Sequence, residues 1–561
     1  MCERDDTRTD KVGEIRVSRV SASSARLDSL RDKPAASVVI IGGGINGIAT
    51  FRDLALQGVD VVLVERKDFC SGASAASSHM VHGGIRYLEN GELRLVRESL
   101  AERNRLLATA PHYVRPLKTT IPIFSLLSGV LSAPIRLFTH APGKPKERGA
   151  LLIKVGLVLY DLFGRNKGRM PRHSFLGRRR SLVELPHLNR EVRFTATYYD
   201  AAMENPERLA LDVLRDAVET GKHARAYNYL SAVGYDGEGL EVRDELTGDT
   251  LTLTADVIVN ASGPWTDLTN EALGRPTSLM GGTKGSHIVL DNLALLEACD
   301  GREIFFENSD GRIVLMYPMM GRVLVGTTDI PVDIRDKIVC TDEEVDYFFD
   351  LVSRVFPHIE TDYSHIVYRY SGVRPLPAAG DLSPGVISRD YRIVEGNLGK
   401  TRVLSLVGGK WTTFRALGEH LADDVLTILD RPRVVSTTNL AIGGGKGFPT
   451  TPPERDAWVE NHSALLPASR VEQLLDRYGT YAANLISYLE GAGDESLVHH
   501  QGYSRGEIEW LIQNEWVEEL DDLVSRRTSL LFRGEVTTAL HKELSEILRA
   551  TKGRTSVRTK K

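Results

Sequence analysis

Three kinds of chemistry can be read from residue types and spacings in this chain. The first is a grip for a dinucleotide. Gly42, Gly44 and Gly47 stand in the G-x-G-x-x-G spacing, and Glu65 follows them. In such a unit the first glycine turns the chain and the second lets a pyrophosphate approach the backbone. The third packs helix on strand, and an acid roughly 20 residues on grips ribose hydroxyls. A lone glycine turn can be merely structural, but here strand, helix, strand and acid follow in order. The second is a charge at a late glycine turn, Lys410 in "GGKWTTFR". The third is the stretch "HGGIRYL", His82 to Leu88: Gly83 and Gly84 let a backbone come close to a bound group, and Arg86 and Tyr87 follow at once. A guanidinium fork fits the oxygens of a phosphate ester, but it serves equally well as the partner of a structural carboxylate.

These residues need elements to hold them. Ser37 to Ile41 is a continuous β-branched run, as in a strand buried on both faces. Ile48 to Gln57 has helical periodicity, Gly58 stops it, and Val59 to Val64 is a second buried strand. The motif does not choose between NAD and FAD. "TADVIVNASGPWTD" (Thr254 to Asp267) is a further strand ending in a Ser-Gly-Pro turn. "RVLSLVGGKWTTFRALGEHLADDVL" (Arg402 to Leu426) is a strand, a glycine turn and a helix starting near Thr412. A helix N-terminus aimed at the cofactor suits the negative charge of a reduced flavin, and Lys410 adds a full charge; the alternative is a polar strand-to-helix loop. Arg312 to Gly326 and Gly234 to Val257 read as hairpins.

With 561 residues the chain is long enough for two or three domains. A net charge of −5 makes no case for nucleic acid. Four scattered cysteines form neither a disulfide framework nor a metal site, which suggests a reducing compartment. Nothing at the N-terminus resembles a secretory signal. The most apolar stretch, between Lys118 and Arg136, is broken by Pro122 and Pro134 and is too short to span a bilayer. From Arg136 to Arg180, twelve lysines and arginines face only Glu147 and Asp161. Beside apolar runs, such a segment reads either as a surface for anionic lipid or as a core helix pair with a solvated basic loop. "NLAIGGGKGFPTTPP" reads as a linker. Beyond it, Val471 to Arg477, Tyr481 to Leu489, Arg505 to Leu511, Glu518 to Val524 and Val536 to Leu548 have helical patterns, and a disordered basic end is expected at Lys552 to Lys561.

"VIIGGGINGIA", "ASSHMVHGGIRYLENGELRLVRESLAER", "VNASGPW", "KGSHIVL", "VLVGTTD", "YSGVRPLP", "SRDY" and "GGKWTTFR" occur in this order from Ser37 to Arg415. Together they resemble the FAD-dependent glycerol-3-phosphate dehydrogenase family, within the group built like D-amino-acid oxidase. A looser similarity continues through "EWVEELDDLVSRRTSLLF" (Glu515 to Phe532). The resemblance implies an α/β fold: a Rossmann-like FAD-binding domain, a β-sheet substrate cap and a C-terminal all-helical domain. The expected boundaries are a mostly disordered tail at 1–36, with one short helix near Ala25 to Leu30, and an FAD domain of 37–115, 196–280 and 371–436. A cap of 116–195 and 281–370 carries the basic segment 117–180. The helical domain is expected at 450–548, with a basic tail at 549–561.

The implied reaction is oxidation of the secondary alcohol of sn-glycerol 3-phosphate to dihydroxyacetone phosphate, with electrons passed to a quinone at a membrane or to oxygen. The implied setting is cytoplasmic, against the inner face of the cell membrane, as a homodimer. By the same resemblance, Gly83 and Gly84 pack on the flavin edge, and Arg86, Tyr87, Thr328, Arg374 and Lys410 meet the substrate. His287 is the leading candidate base, with Arg374 and Lys410 assisting; His82 competes with it but is better placed for the flavin. The FAD contacts would be Gly42, Gly44, Ile45, Asn46, Gly47, Glu65, Arg66, Ser77, Ser78, His82, Gly83 and Gly84. Ala261, Ser262, Gly263, Trp265, Asp329, Gly408, Gly409, Lys410, Trp411 and Thr412 would complete them, although Asp329 reads equally as a turn or helix cap. No metal is implied.

Two departures from the family pattern stand out. His79 occupies a position where the family commonly has Lys, and "ENPERL" keeps Arg208 but not the usual acidic pair. A longer polyol phosphate, such as an erythritol phosphate, would use the same cations in a roomier pocket. An amine or amino-acid oxidase of the same fold needs only one arginine for its carboxylate.

Overall fold

The computed structural model describes residues 27–84, 92–125, 150–164, 170–307, 313–378 and 390–558. Arg86 and Tyr87, the Ser388 and Arg389 part of "SRDY", and residues 126–149 and 165–169 of the basic segment lie outside the described residues.

The first sheet is the nucleotide-binding frame. Its strands run in the order Arg392–Leu398, Thr401–Val407, Thr250–Asn260, Ala35–Ile41, Val61–Val64 and Ala224–Tyr227. All pairings but the first are parallel. A parallel strand is covered on both faces, which is why these segments are unbroken runs of Val, Ile and Leu. The helix Ile45–Leu56 crosses the helix Phe414–Ile428 so closely that a Cβ on Gly418 would lie 2.9 Å from the backbone of Ala49.

The second sheet has ten strands among the described residues. Its long path is Ile330–Pro331, Met280–Leu290, Arg322–Gly326, Ile313–Met319, Glu303–Glu307, Val114–Ile123, Phe194–Met203 and Met80–Val81. Ile366–Pro377 pairs along the whole of Met280–Leu290. The expected domain boundaries are corrected here: Phe194–Met203 and Ile366–Pro377, divided between cap and nucleotide domain in the sequence reading, both belong to this sheet. Each is a long strand whose pairing lies far away in sequence, so local pattern could not assign it.

The ordered chain also begins earlier than residue 37. Leu27 and Leu30 are fully buried under the first sheet, and Asp28–Asp32 is helical. The Gly-Pro-Thr stretch is a packed seam rather than a loose linker. Cβ atoms on Gly443, Gly444 and Gly445 would strike Asp212, the Tyr478 carbonyl and the Thr109 carbonyl. The last helix, Thr538–Arg558, carries the expected basic tail into regular structure. A helix at Pro452–His462, which the sequence reading missed, opens the C-terminal domain.

Buried ion pairs dock that domain. Arg208 and Arg215, on the helix Pro206–Val218, both reach Glu515, with guanidinium-to-Oε1 distances of 3.0 and 2.7 Å. Asp68, just past the second strand of the first sheet, pairs with Arg526 and Arg527. No described helix is long and apolar enough to cross a membrane.

Candidate active site

The glycine cradle is tight. Gly42 has φ +113°, and a Cβ there would lie 2.6 Å from the Ala261 carbonyl oxygen; a Cβ on Gly47 would lie 1.9 Å from the Gly42 oxygen. Only hydrogen fits either place. Glu65 accepts from the backbone N–H of Gly43 at 2.7 Å and of Lys67 at 2.8 Å. Burial pushes its carboxyl up from the usual range, against those two donors. Asn46 Oδ1 is buried without a protein donor, and Nδ2 of the same side chain sits against Gly409 (φ +104°). An unpartnered acceptor beside two glycine turns, at the start of a helix, fits a cofactor dinucleotide with hydroxyl and ring N–H groups to donate. Trp265 packs on Gly72, and Arg66 lies 5.9 Å from the Trp265 ring. Ser262 donates to Asn260 Oδ1 at 2.5 Å, and Gly263 (φ +61°) turns the chain after it.

A strap at Gly72–Ser78 ties the two sheets together. Ser74 Oγ accepts from Ile45 N, the first residue of the cradle helix, at 3.0 Å, and the Ser74 carbonyl accepts from Trp411 Nε1 at 2.9 Å. Four residues later, Ser78 Oγ meets His287 Nε2 at 2.8 Å. Ser74 was not foreseen, because nothing local distinguishes it from the other serines of "CSGASAASS". Thr412 Oγ1 donates to the His82 carbonyl at 3.3 Å, closing the late glycine turn over the same region.

His287 sits on Met280–Leu290 between Gly326 on one neighbouring strand and Tyr370 on the other. Its ring stacks on Tyr370 with centroids 4.9 Å apart at 15°. A Cβ on Gly326 would lie 2.2 Å from His287 Cδ2. Nδ1 is buried with no partner. Burial, with Arg374 and His79 nearby, holds the imidazole well below its usual proton affinity, so the ring is neutral.

Arg374 faces Thr283 in the same strand pair, and its guanidinium lies over Gly285, where a Cβ would be 2.2 Å away. It donates to Thr327 Oγ1 and the Thr328 carbonyl, both at 2.9 Å, and pairs with Asp329 at 3.2 Å. The glycines of "KGSH", "VGTT" and "SGVR" thus have a common use: Gly285 seats Arg374, Gly326 seats His287, and Gly372 admits Ala76 of the strap.

Three expectations change. Thr328, expected to meet substrate, is buried; its hydroxyl donates to Glu344 Oε1 at 2.6 Å and accepts from Ser286 N at 3.0 Å. Asp329, expected at the cofactor or as a cap, pairs with Arg374. Gly83, expected to pack on the flavin edge, packs on Leu100 and Tyr160. Its N–H donates to Asp200 Oδ1 at 2.9 Å and to Tyr160 Oη at 3.0 Å. Gly84 has φ +74°. Lys410 donates to Ser99 Oγ at 2.9 Å, on the helix Leu93–Thr109.

Glu344 was missed. It lies at the start of Asp342–Val355, where it also accepts from Lys284 Nζ at 2.7 Å, Ser286 Oγ at 2.8 Å and Thr341 N at 2.9 Å. Its capping-box spacing with Thr341 was legible, but its reach to the strand of His287 was not. Among the described residues no cluster could hold a metal ion.

A parallel nucleotide sheet, a glycine cradle and a second sheet presenting a neutral histidine and an arginine define a two-domain dinucleotide-dependent oxidoreductase. The chain belongs to the FAD-dependent oxidoreductase family: that family's model matches residues 37–423, and the model for the C-terminal domain of alpha-glycerophosphate oxidase matches residues 435–559. It is 32% identical to a glycerol-3-phosphate dehydrogenase of Synechocystis sp., covering 88% of each chain. It is also 32% identical to a D-erythritol 1-phosphate dehydrogenase of Brucella abortus, covering 87% of this chain and 93% of that one. The fold is similar to that of the glycerol-3-phosphate dehydrogenase from Bacillus halodurans solved with FAD. The TM-score is 0.70 at 23% identity, over 95% of this chain and 96% of that one.

Proposed function

We propose that the protein oxidises sn-glycerol 3-phosphate to dihydroxyacetone phosphate. The observation that carries this reading is His287: a buried, neutral imidazole with one ring nitrogen held by Ser78 and the other unpartnered, beside Arg374. FAD, when bound, supplies the hydride acceptor. Nε2–H donates to Ser78 Oγ, which leaves the Nδ1 lone pair to take the proton of the substrate's secondary hydroxyl. Arg374 binds the phosphate, exchanging part of its hold on Asp329 and Thr327 for a dianion. That dianion offsets the Arg374 charge at His287 and so raises the ring's proton affinity as substrate binds. Arg86 joins the phosphate grip, Tyr87 contacts a substrate hydroxyl, and Lys410 places positive charge beside the cofactor ring.

A second substrate reading has its own support. The erythritol phosphate enzyme of Brucella abortus has the same 32% identity to this chain as the glycerol phosphate enzyme of Synechocystis, and His79 stands where a lysine is expected. Electrons leave to a membrane quinone. The helix Ala150–Gly164 supports this route: Leu151, Val155, Val158, Leu159 and Leu162 are exposed along one side, while Ala150, Leu157 and Tyr160 face inward. The basic residues around it would rest on anionic lipid.

The test is anaerobic mixing of the flavin-loaded protein with sn-glycerol 3-phosphate, then with erythritol and pentitol phosphates, following the visible flavin band. Bleaching by the first supports the leading reading, and bleaching only by a longer phosphate moves the substrate. An unchanged band with every phosphate sinks both readings.

A further inference from the structure

Phe532 belongs to the C-terminal domain, yet its ring lies against His79 of the strap, with centroids 5.3 Å apart at 34°. His79 in turn lies 6.3 Å from Tyr370, whose other neighbour is His287 at 4.9 Å. Tyr368 widens the column, 5.5 Å from Tyr370 and 6.5 Å from Phe532. The column is pinned at several points. Tyr370 Oη donates to the Ser77 carbonyl at 2.8 Å, and Tyr317 Oη donates to the Ser78 carbonyl at 2.8 Å. His79 is buried with φ +53°, a backbone conformation that fixes where its ring points. Burial lowers its pKa to about 4, so it enters the column as a neutral ring.

We infer that Phe532 is a positioning residue for His287, and that the helical domain sets the orientation of the base through the His79–Tyr370 column. The inference rests on reading His287 as the base. A stacked ring keeps its orientation only while the ring behind it is supported. Ser78 fixes the in-plane direction of His287, Tyr370 fixes its plane, and His79 and Phe532 back Tyr370. The charged and titratable groups facing this assembly are Arg374 and His79 at His287, Glu207 at Tyr370, and Glu207, Asp521 and Arg526 at Tyr368. Removing Phe532 opens the far end of the column to water. Tyr370 then gains freedom, and the desolvation of His287 is relieved.

The test compares Phe532→Ala, Phe532→Tyr, His79→Asn and His287→Asn as full-length, flavin-loaded proteins. The readouts are single-turnover flavin reduction by sn-glycerol 3-phosphate across pH, and bound flavin. Phe532→Ala is expected to slow reduction about tenfold and to move the acid limb of the rate profile to higher pH. Phe532→Tyr is expected to restore both. His79→Asn, which tolerates the left-handed backbone, breaks the column at its next ring and is expected to act like Phe532→Ala. An unchanged rate and limb in Phe532→Ala, or in His79→Asn should the first not fold, overturns the inference. His287→Asn separates the two layers: full reduction there removes the base reading itself, whereas loss there with an unaltered Phe532→Ala removes only the column.

Discussion

Asp68 and Arg527 face each other fully buried where the nucleotide sheet meets the helical domain. One guanidinium nitrogen is 2.6 Å from Oδ2 and the other 2.8 Å from Oδ1. Arg526 reaches the same carboxylate, and Arg527 Nε donates to the Glu515 carbonyl at 2.7 Å. Asp68→Ala leaves two buried guanidinium groups short of a partner and should cost about 3–5 kcal/mol. Arginine pairing holds the Asp68 carboxyl below its usual pKa of 3.8 despite burial. The contribution is therefore complete above that value and is lost as pH falls through the lower folded value. Chemical denaturation of the wild type and Asp68→Ala at pH 7 checks the magnitude. Equal stabilities would show that the junction is not held here.

The seating glycines make separable predictions. Gly326→Ala puts a Cβ where the His287 ring lies, and should lower the rate of flavin reduction by about a hundredfold with little effect on substrate affinity. Gly285→Ala displaces the Arg374 guanidinium and should weaken substrate binding more than it slows the reduction step. Stopped-flow reduction at varied glycerol 3-phosphate separates the two. If both variants changed the same parameter, the division of labour between His287 and Arg374 would be wrong.

The two buried histidines should draw stability down on mild acidification, against the opposite pull of Glu303, Glu207, Asp216 and Asp522, whose carboxyls burial raises to about 8, 7, 6 and 6. His79 has a folded pKa of about 4, and His287 is also held well below 6.5. Below 6.5 the unfolded chain takes up protons that the native rings refuse, so the histidine contribution declines as pH drops from 6.5 towards the folded values. His79 alone contributes about 3 kcal/mol of that decline by pH 4. Urea denaturation of the wild type and of His79→Asn between pH 7 and pH 5 isolates the His79 share from those carboxyls. An equal pH dependence in the two proteins would mean that His79 is protonated in the native state.

The exposed stripe of Ala150–Gly164 can be tested without touching the chemistry. Leu151→Asp with Val155→Asp alters two exposed side chains, so folding should change by less than about 1 kcal/mol. Sedimentation with phosphatidylglycerol vesicles should fall sharply, while anaerobic flavin reduction should persist. Undiminished vesicle binding would place the lipid contact elsewhere.

Local sequence carried the cradle. Gly42, Gly47 and Glu65 lie within one strand–helix–strand unit; the nearest contact of Gly47 and the carboxylate bonds of Glu65 stay near that unit, whereas Gly42 packs on Ala261. His287 itself was also singled out, because its motif is contiguous. The supports of that histidine were not. Tyr370 is brought in by the antiparallel pairing of Met280–Leu290 with Ile366–Pro377, Ser78 by the strap, and Glu344 by a helix packed beneath. Such contacts join residues far apart in the chain, and no periodicity records them. Thr328 misled for a related reason: its motif marks the right place, but its hydroxyl turns inward to Glu344. Nothing local marks Asp68 or Glu515 as buried: Asp68 is covered by Arg526 and Arg527 of the helical domain, and Glu515 by Arg208 and Arg215 of the nucleotide domain.

Ser74 answers to the cradle helix and Ser78 to His287, and the two anchor points are four positions apart. A chain spans at most about 3.6 Å per residue, so the strap limits the separation of those anchor points to about 14 Å. It acts as a ruler between the cofactor seat and the proton acceptor. Surface loops usually tolerate added or lost residues. In this stretch length is the guarded property, and a single inserted residue should do more harm than most changes of side chain.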